Sequence, residues 1–177
     1  MDISIYLKMK NIILSLVLIS SFAHAQLLTV AEKTSWKETG RAFETEILCH
    51  KFQKKFPDRV QCQSYGKTPE GRNLMYMVLG SLKDPVVWVQ AGIHAGEIDG
   101  KDAVFLLLRR VLEEKMKPDP LKGICLVFIP IVNLDGHERF GKWNRPNQVG
   151  PEEMGWRTTA QNLNLNRDFV KVDAPEM

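Results

Sequence analysis

Val86-Val87-Trp88-Val89-Gln90-Ala91-Gly92-Ile93-His94-Ala95-Gly96-Glu97 is the stretch that decides the architecture. Val86 to Ala91 is almost wholly apolar and short, the pattern of a strand buried on both faces. Gly92 to Glu97 follows as a loop. A helix of about 17 residues then runs to Lys115, with Val104, Leu107, Leu108, Val111 and Leu112 as its inner stripe. Lys115 and Lys117 suit its negative end, and Pro118 and Pro120 close it. Ile124 to Val132 reads as a second buried strand. Strand, loop, helix and strand in this order form a βαβ unit, so the fold class is α/β.

Upstream, Val60–Lys67 and Asn73–Leu79 read as two strands. Pro69-Glu70-Gly71 between them has turn chemistry, which predicts a hairpin. Thr39 to Phe56 reads as an amphipathic helix stopped by Pro57, with Phe43, Ile47, Leu48, Phe52 and Phe56 as its apolar face. Downstream, the 45 residues from Asn133 onward are polar and rich in Asn, Gly and Pro. Long connections in compact domains tend to be functional.

The 177 residues are 44% hydrophobic and 25% charged, the balance of one ordinary globular domain. Net charge is +3, and no basic run exceeds two residues, so nucleic acid is not an expected partner. No Lys, Arg, Asp or Glu lies between Lys10 and Glu32. Ile12 to Ile19 is apolar except for Ser15, and Ala23-His24-Ala25 closes the segment. This predicts a secretory signal peptide over residues 1–25, cleaved after Ala25, with a domain over 26–177 delivered outside the cell or to a periplasm. The apolar core is short for a membrane span, so no membrane association is expected after cleavage. Export permits a disulfide, for which Cys49 and Cys62 are the plausible pair. Three free thiols are nevertheless the leading expectation, with Cys125 buried in an apolar run.

Three places carry chemistry. In His94-Ala95-Gly96-Glu97, an imidazole and a carboxylate three positions apart can reach one ion across two small residues. Zinc sites with an open position commonly use two His and one Glu. An HxxE string is weak by itself; its place at the end of a buried strand strengthens it, against the plainer alternative of a solvated helix start. In Gly155-Trp156-Arg157-Thr158, a guanidinium stands beside an indole. In Asn162-Leu163-Asn164-Leu165-Asn166-Arg167-Asp168-Phe169, Asn166 and Arg167 could bind a carboxylate through an amide and a fork of N–H groups. The plainer readings are a surface Arg and a polar turn. His137, in a loop, is a weak further candidate for approaching a metal.

Together these residues resemble the zinc metallocarboxypeptidase family of the carboxypeptidase A type. The resemblance rests on Gln90 to Glu97, Asn133-Leu134-Asp135-Gly136, Trp156-Arg157 and Asn164-Leu165-Asn166-Arg167, in order, over roughly residues 60 to 170. It implies a mixed β-sheet flanked by helices. It implies Zn2+ held by His94 and Glu97, an oxyanion stabilised by Arg157, and the C-terminal carboxylate of a peptide substrate held by Asn166 and Arg167. The implied reaction is removal of C-terminal residues from peptides by a zinc-activated water.

Two departures bear on the site. Gly96 stands where carboxypeptidase A itself has an Arg that helps bind substrate, and Asn164 where many relatives have an Asp that hydrogen-bonds the metal His. The family also needs a second zinc His and a general-base Glu, placed beyond residue 177 by its usual spacing. The expectation is therefore the N-terminal portion of a catalytic domain, incomplete, with weak zinc binding, negligible peptidase activity and an uncovered strand edge. The rival readings are a zinc-dependent deacylase acting on small acylated amino acids and a non-catalytic module gripping peptide C-termini.

Overall fold

The computed structural model describes residues 27–177; the signal-peptide expectation falls on residues outside that range. Four strands form one mixed sheet in the order β1-β2-β4-β3. The strands are β1 (Val60–Lys67), β2 (Asn73–Leu79), β3 (Val86–Gln90) and β4 (Cys125–Ile129). β1 and β2 pair antiparallel, Val60 opposite Leu79 and Cys62 opposite Met77. Their turn closes through Thr68 N–H to Arg72 C=O at 2.9 Å and Gly71 N–H to Thr68 C=O at 2.8 Å. Gly71 sits at φ 83°, which glycine adopts without steric cost. β3 and β4 pair parallel, joined by the helix between them, which is the βαβ unit.

Among the described residues, four helices accompany the sheet: α1 (Val30–Lys33), α2 (Ala42–Lys55), α3 (Asp99–Leu112) and α4 (Leu134–Glu138), with a 3-10 turn at Leu165–Arg167. None of the described helices is long and apolar enough to cross a membrane. α2 and α3 pack on the same face of the sheet. Phe105 stands at the centre of that core, its ring 6.1 Å from Phe52 of α2 and 5.4 Å from Phe128 of β4.

Several expectations need correction. α2 turns Thr45, Leu48, Cys49 and Phe52 inward, while Phe43 and Ile47 are 64% and 43% exposed. Residues 45, 48, 49 and 52 fall on one helical stripe; Phe43 and Ile47 lie beside it. α3 ends at Leu112; Leu108, Val111 and Leu112 of the expected stripe are buried, and so is Phe105, which that stripe left out. β3 is not buried on both faces: it is an edge strand, with Val86, Val87 and Trp88 at 51%, 41% and 60% exposure. An apolar run announces burial on average but not which side of the sheet has a neighbour. The thiols are not all free either: Cys49 and Cys62 form a disulfide. Cys49 faces inward from α2 and Cys62 inward from β1, Cα atoms 5.4 Å apart, so helix-on-sheet packing brings them together. Cys125 is buried and free.

Beneath the N-terminus of α3 lies a buried polar hub. The Lys101 ammonium, wholly buried, donates to Glu44 at 2.8 Å and Gly40 C=O at 3.3 Å and lies 3.1 Å from Asp102. The Asp102 carboxylate accepts from Thr39 Oγ1 at 2.8 Å, and Glu44 from the Val30 N–H at 2.5 Å. Burial raises the Asp102 pKa despite the adjacent ammonium. A charge with no water must be met by an opposite charge or by hydrogen bonds, and this hub does so while fixing residues 29–44 against α3.

Candidate active site

The C-terminal ends of β3 and β4 set the site. The Ala91 N–H donates to Ile129 C=O at 3.0 Å, Val132 N–H to Ala91 C=O at 2.9 Å, and Asn133 N–H to Gly92 C=O at 3.0 Å, continuing the parallel ladder past the strands. The chain then turns through Gly92 at φ 64° and folds Glu97 N–H onto His94 C=O at 2.9 Å. That turn puts the two side chains on one side. His94 Nδ1 faces Glu97 Oε2 at 3.2 Å, and His94 Nε2 faces Asn164 Oδ1 at 3.3 Å.

An amide oxygen accepts and does not donate, so Asn164 selects the tautomer in which Nε2 carries the proton. The Nδ1 lone pair then points toward the carboxylate. A cation between them would meet one nitrogen and one carboxylate oxygen, a donor pair suited to zinc. Among the described residues no group of three or more His, Cys, Asp or Glu converges on one point. His94 and Glu97 therefore fit a metal as two of its ligands.

His94 is nearly buried, while the Glu97 side chain keeps 42% exposure. Burial raises the Glu97 pKa, but its contacts with His94 and Arg145 outweigh burial and hold the carboxyl below the usual range. Arg157 comes within 3.7 Å of Glu97 Oε1. Its backbone is fixed by α4: the Asn133 amide donates to Arg157 C=O at 3.0 Å, and Trp156 N–H donates to Gly136 C=O at 2.8 Å. Gly155 allows this close approach, since a Cβ there would stand 2.6 Å from His137 Cα and 3.0 Å from Ala95 Cβ.

Asn166 and Arg167 lie on the 3-10 turn, both exposed. The Asn166 N–H donates to Asn164 Oδ1 at 3.1 Å, so the oxygen that orients His94 also anchors this turn. Arg167 Nη1 donates to Asn166 C=O at 2.7 Å. The structure thus joins His94, Glu97, Arg157 and, through Asn164, the backbone of Asn166, and leaves the Arg167 guanidinium on its own turn. His137 lies on α4, not in a loop: it is buried, its Nε2–H donates to Gly40 C=O at 2.8 Å, and burial lowers its pKa to about 4.

Sequence reasoning missed Arg145, whose Nη2 lies 2.5 Å from Glu97 Oε1. Nothing in the Lys142-Trp143-Asn144-Arg145 run marks it. The available signal was Gly96, a residue without a side chain beside a metal-type pair.

The family profile described as zinc carboxypeptidase matches residues 45–175. Carboxypeptidase B of Helicoverpa zea is 25% identical over 127 residues, 66% of this chain and 29% of that protein. Carboxypeptidase A4 of Mus musculus is 31% identical over 98 residues, 51% of this chain and 23% of that protein. The chain spans under a third of the length of these relatives. Among solved structures, carboxypeptidase A of Helicoverpa armigera superposes with a TM-score of 0.58 at 20% identity, covering 90% of this chain and 40% of that one. A metallo-carboxypeptidase of Burkholderia cenocepacia gives 0.59 at 23%, covering 76% and 35%. These likenesses show the same mixed sheet flanked by helices, of which this chain has a part.

Proposed function

The chain belongs to the zinc carboxypeptidase family, and from that premise we propose that residues 26–177 form the N-terminal portion of the catalytic domain of an exported metallocarboxypeptidase. Its substrates are peptides and proteins with free C-termini. The observation that carries this reading is the split of His94: Nε2 held by Asn164, Nδ1 turned to Glu97. One ring nitrogen is thereby fixed on an amide oxygen, and the other is left 3.2 Å from a carboxylate oxygen, the two donors that an ion would need.

In this reading His94 and Glu97 hold zinc, which supplies a nucleophile from water and polarises the scissile carbonyl. Asn164 fixes the ring and tautomer of His94. Arg157, half-buried beside Glu97, offers N–H donors where negative charge develops on the attacked carbonyl, the arrangement in which a fixed cation contributes most. Asn166 and Arg167 read the substrate's terminal carboxylate, the amide supplying one donor and the guanidinium a planar fork. That contact orients the terminal peptide bond and makes the reaction exopeptidic.

The Cys49–Cys62 disulfide supports export, because structural disulfides persist in oxidising compartments. With two ligands among the described residues, zinc binding is weak and the 26–177 segment does not turn over peptides by itself. The test is zinc titration with a competing chelator. Wild type binds one zinc; His94→Ala and Glu97→Ala each abolish it. Retention of full affinity in either variant refutes the assignment. Release of C-terminal residues by the wild-type chain alone refutes the inactivity.

A further inference from the structure

We propose that Arg145 is a positioning residue of this site, delivered across the bare backbone of Gly96 to hold one oxygen of Glu97 so that the other faces His94. The inference rests on the reading of His94 and Glu97 as metal ligands and adds a residue that neither the motifs nor the family resemblance picks out.

The loop from Gly141 to Met154 is built to present this side chain. Gly141 and Met154 close its mouth by reciprocal backbone hydrogen bonds of 3.0 and 3.3 Å. Inside it, Asn144 Nδ2 donates to Arg139 C=O at 2.7 Å and Met154 C=O at 2.8 Å. Gln148 ties the loop to the metal-type turn, its Nε2 donating to Gly96 C=O at 2.9 Å, while its own N–H donates to Arg145 C=O at 3.1 Å. Arg145 is thus bracketed by two amide side chains.

Gly96 is needed for space. A Cβ at that position would stand 2.5 Å from Arg145 Cγ, 2.9 Å from the Gly155 carbonyl oxygen and 3.2 Å from Arg145 Cδ, so Gly96 makes room both for the Arg145 stem and for the Gly155 backbone. A side chain on residue 96 and the Arg145 stem exclude each other. The position that carries an Arg in carboxypeptidase A is here empty of side chain, and a guanidinium enters from another loop.

The head of Arg145 then does something specific. Its Nη2 meets Glu97 Oε1, while Glu97 Oε2 remains toward His94 Nδ1. The Arg145 side chain is only 15% exposed, and its Nη1 is buried with no hydrogen-bond partner. Glu97, by contrast, is 42% exposed and sits just ahead of α3, where an untethered carboxylate would turn to water. Groups that fix a metal ligand's orientation typically change metal affinity 10–100-fold when removed. Charge alone argues the opposite sign, since a guanidinium near a cation repels it; the sign of the effect therefore discriminates.

The experiment uses the whole chain and four proteins: wild type, Arg145→Ala, Arg145→Met, which keeps the stem over Gly96, and Arg145→Lys. Zinc affinity is measured by chelator competition, and the His94 ring nitrogens are observed by 15N NMR without and with zinc. The expected result is a loss of about 10–100-fold for Ala and Met with partial recovery in Lys, and a shifted His94 Nδ1 resonance in the metal-free Ala and Met variants. Zinc affinity unchanged or tighter in both, or a metal-free His94 spectrum identical to wild type, overturns the proposal. If wild type takes up no zinc while the Arg145 variants still shift His94, the metal reading fails and the positioning role stands. A neutral variant that loses its cooperative melt is dropped and the other is compared with Arg145→Lys: weaker zinc binding and a shifted His94 resonance in the neutral variant, partly restored in Lys, support the cationic head, and wild-type values in the neutral variant overturn it.

Discussion

Removing the Cys49–Cys62 bridge tests the packing of α2 on the sheet and the proposed export together. The two residues are 13 apart in sequence, so the bridge closes a short loop. The chain-entropy relation for a loop of about 15 residues gives roughly 3 kcal/mol at 25 °C. Cys49 is fully buried and Cys62 nearly so, so reduction leaves both thiols in the core without adding a polar group. For a chain of this size, 1 kcal/mol corresponds to about 2–4 °C, hence a melting point lower by about 6–12 °C. The assay is urea unfolding and thermal melting with and without reductant, beside a Cys49→Ala/Cys62→Ala variant. Alkylation of the denatured, unreduced protein should label one thiol, Cys125. Equal midpoints in the two redox states, or three labelled thiols in secreted material, would refute the reasoning.

Lys101→Met leaves Glu44 and Asp102 buried without their cation and should cost about 3–5 kcal/mol by urea unfolding; a loss under 1 kcal/mol means that the hub does not bear on stability. His137 stays neutral in the fold because burial and the nearby Lys101 lower its pKa from 6.5 to about 4. The unfolded chain therefore binds the extra proton first as pH falls. Stability is full above pH 6.5 and declines toward pH 4 by about 3 kcal/mol from this group. His137→Gln should flatten that part of the pH profile, and an unchanged slope would count against it. Asn164→Asp should tighten zinc binding by raising the basicity of His94, and Asn164→Ala should weaken it about tenfold; equal affinities in all three proteins would separate Asn164 from the metal site.

Much of the fold was legible because its signals are local. The bounds of β1 and β2 were readable around the Pro69-Glu70-Gly71 turn, and Val86 to Val132 announced a βαβ unit by length and order. The pairing of His94 with Glu97 was also local, since three positions along a turn fix both side chains on one side. What was not legible depends on long-range packing. Phe43 and Ile47 look as apolar as Leu48 and Phe52, and only the position of the sheet decides which pair is covered. The exposure of Trp88 follows from β3 lying at the edge. Arg145 lies 48 positions from Glu97, and Lys101 57 from Glu44. No spacing rule connects such pairs; only the empty side of Gly96 hinted that something must fill it.

The most direct test of the account is a crystal of the chain soaked in zinc and measured at the zinc absorption edge. The expected result is one anomalous peak within about 2.0–2.2 Å of His94 Nδ1 and a Glu97 oxygen, with Asn164 still on His94 Nε2. A peak on Nε2, a peak elsewhere with none at this pair, or His94 and Glu97 turned apart at saturating zinc would contradict it.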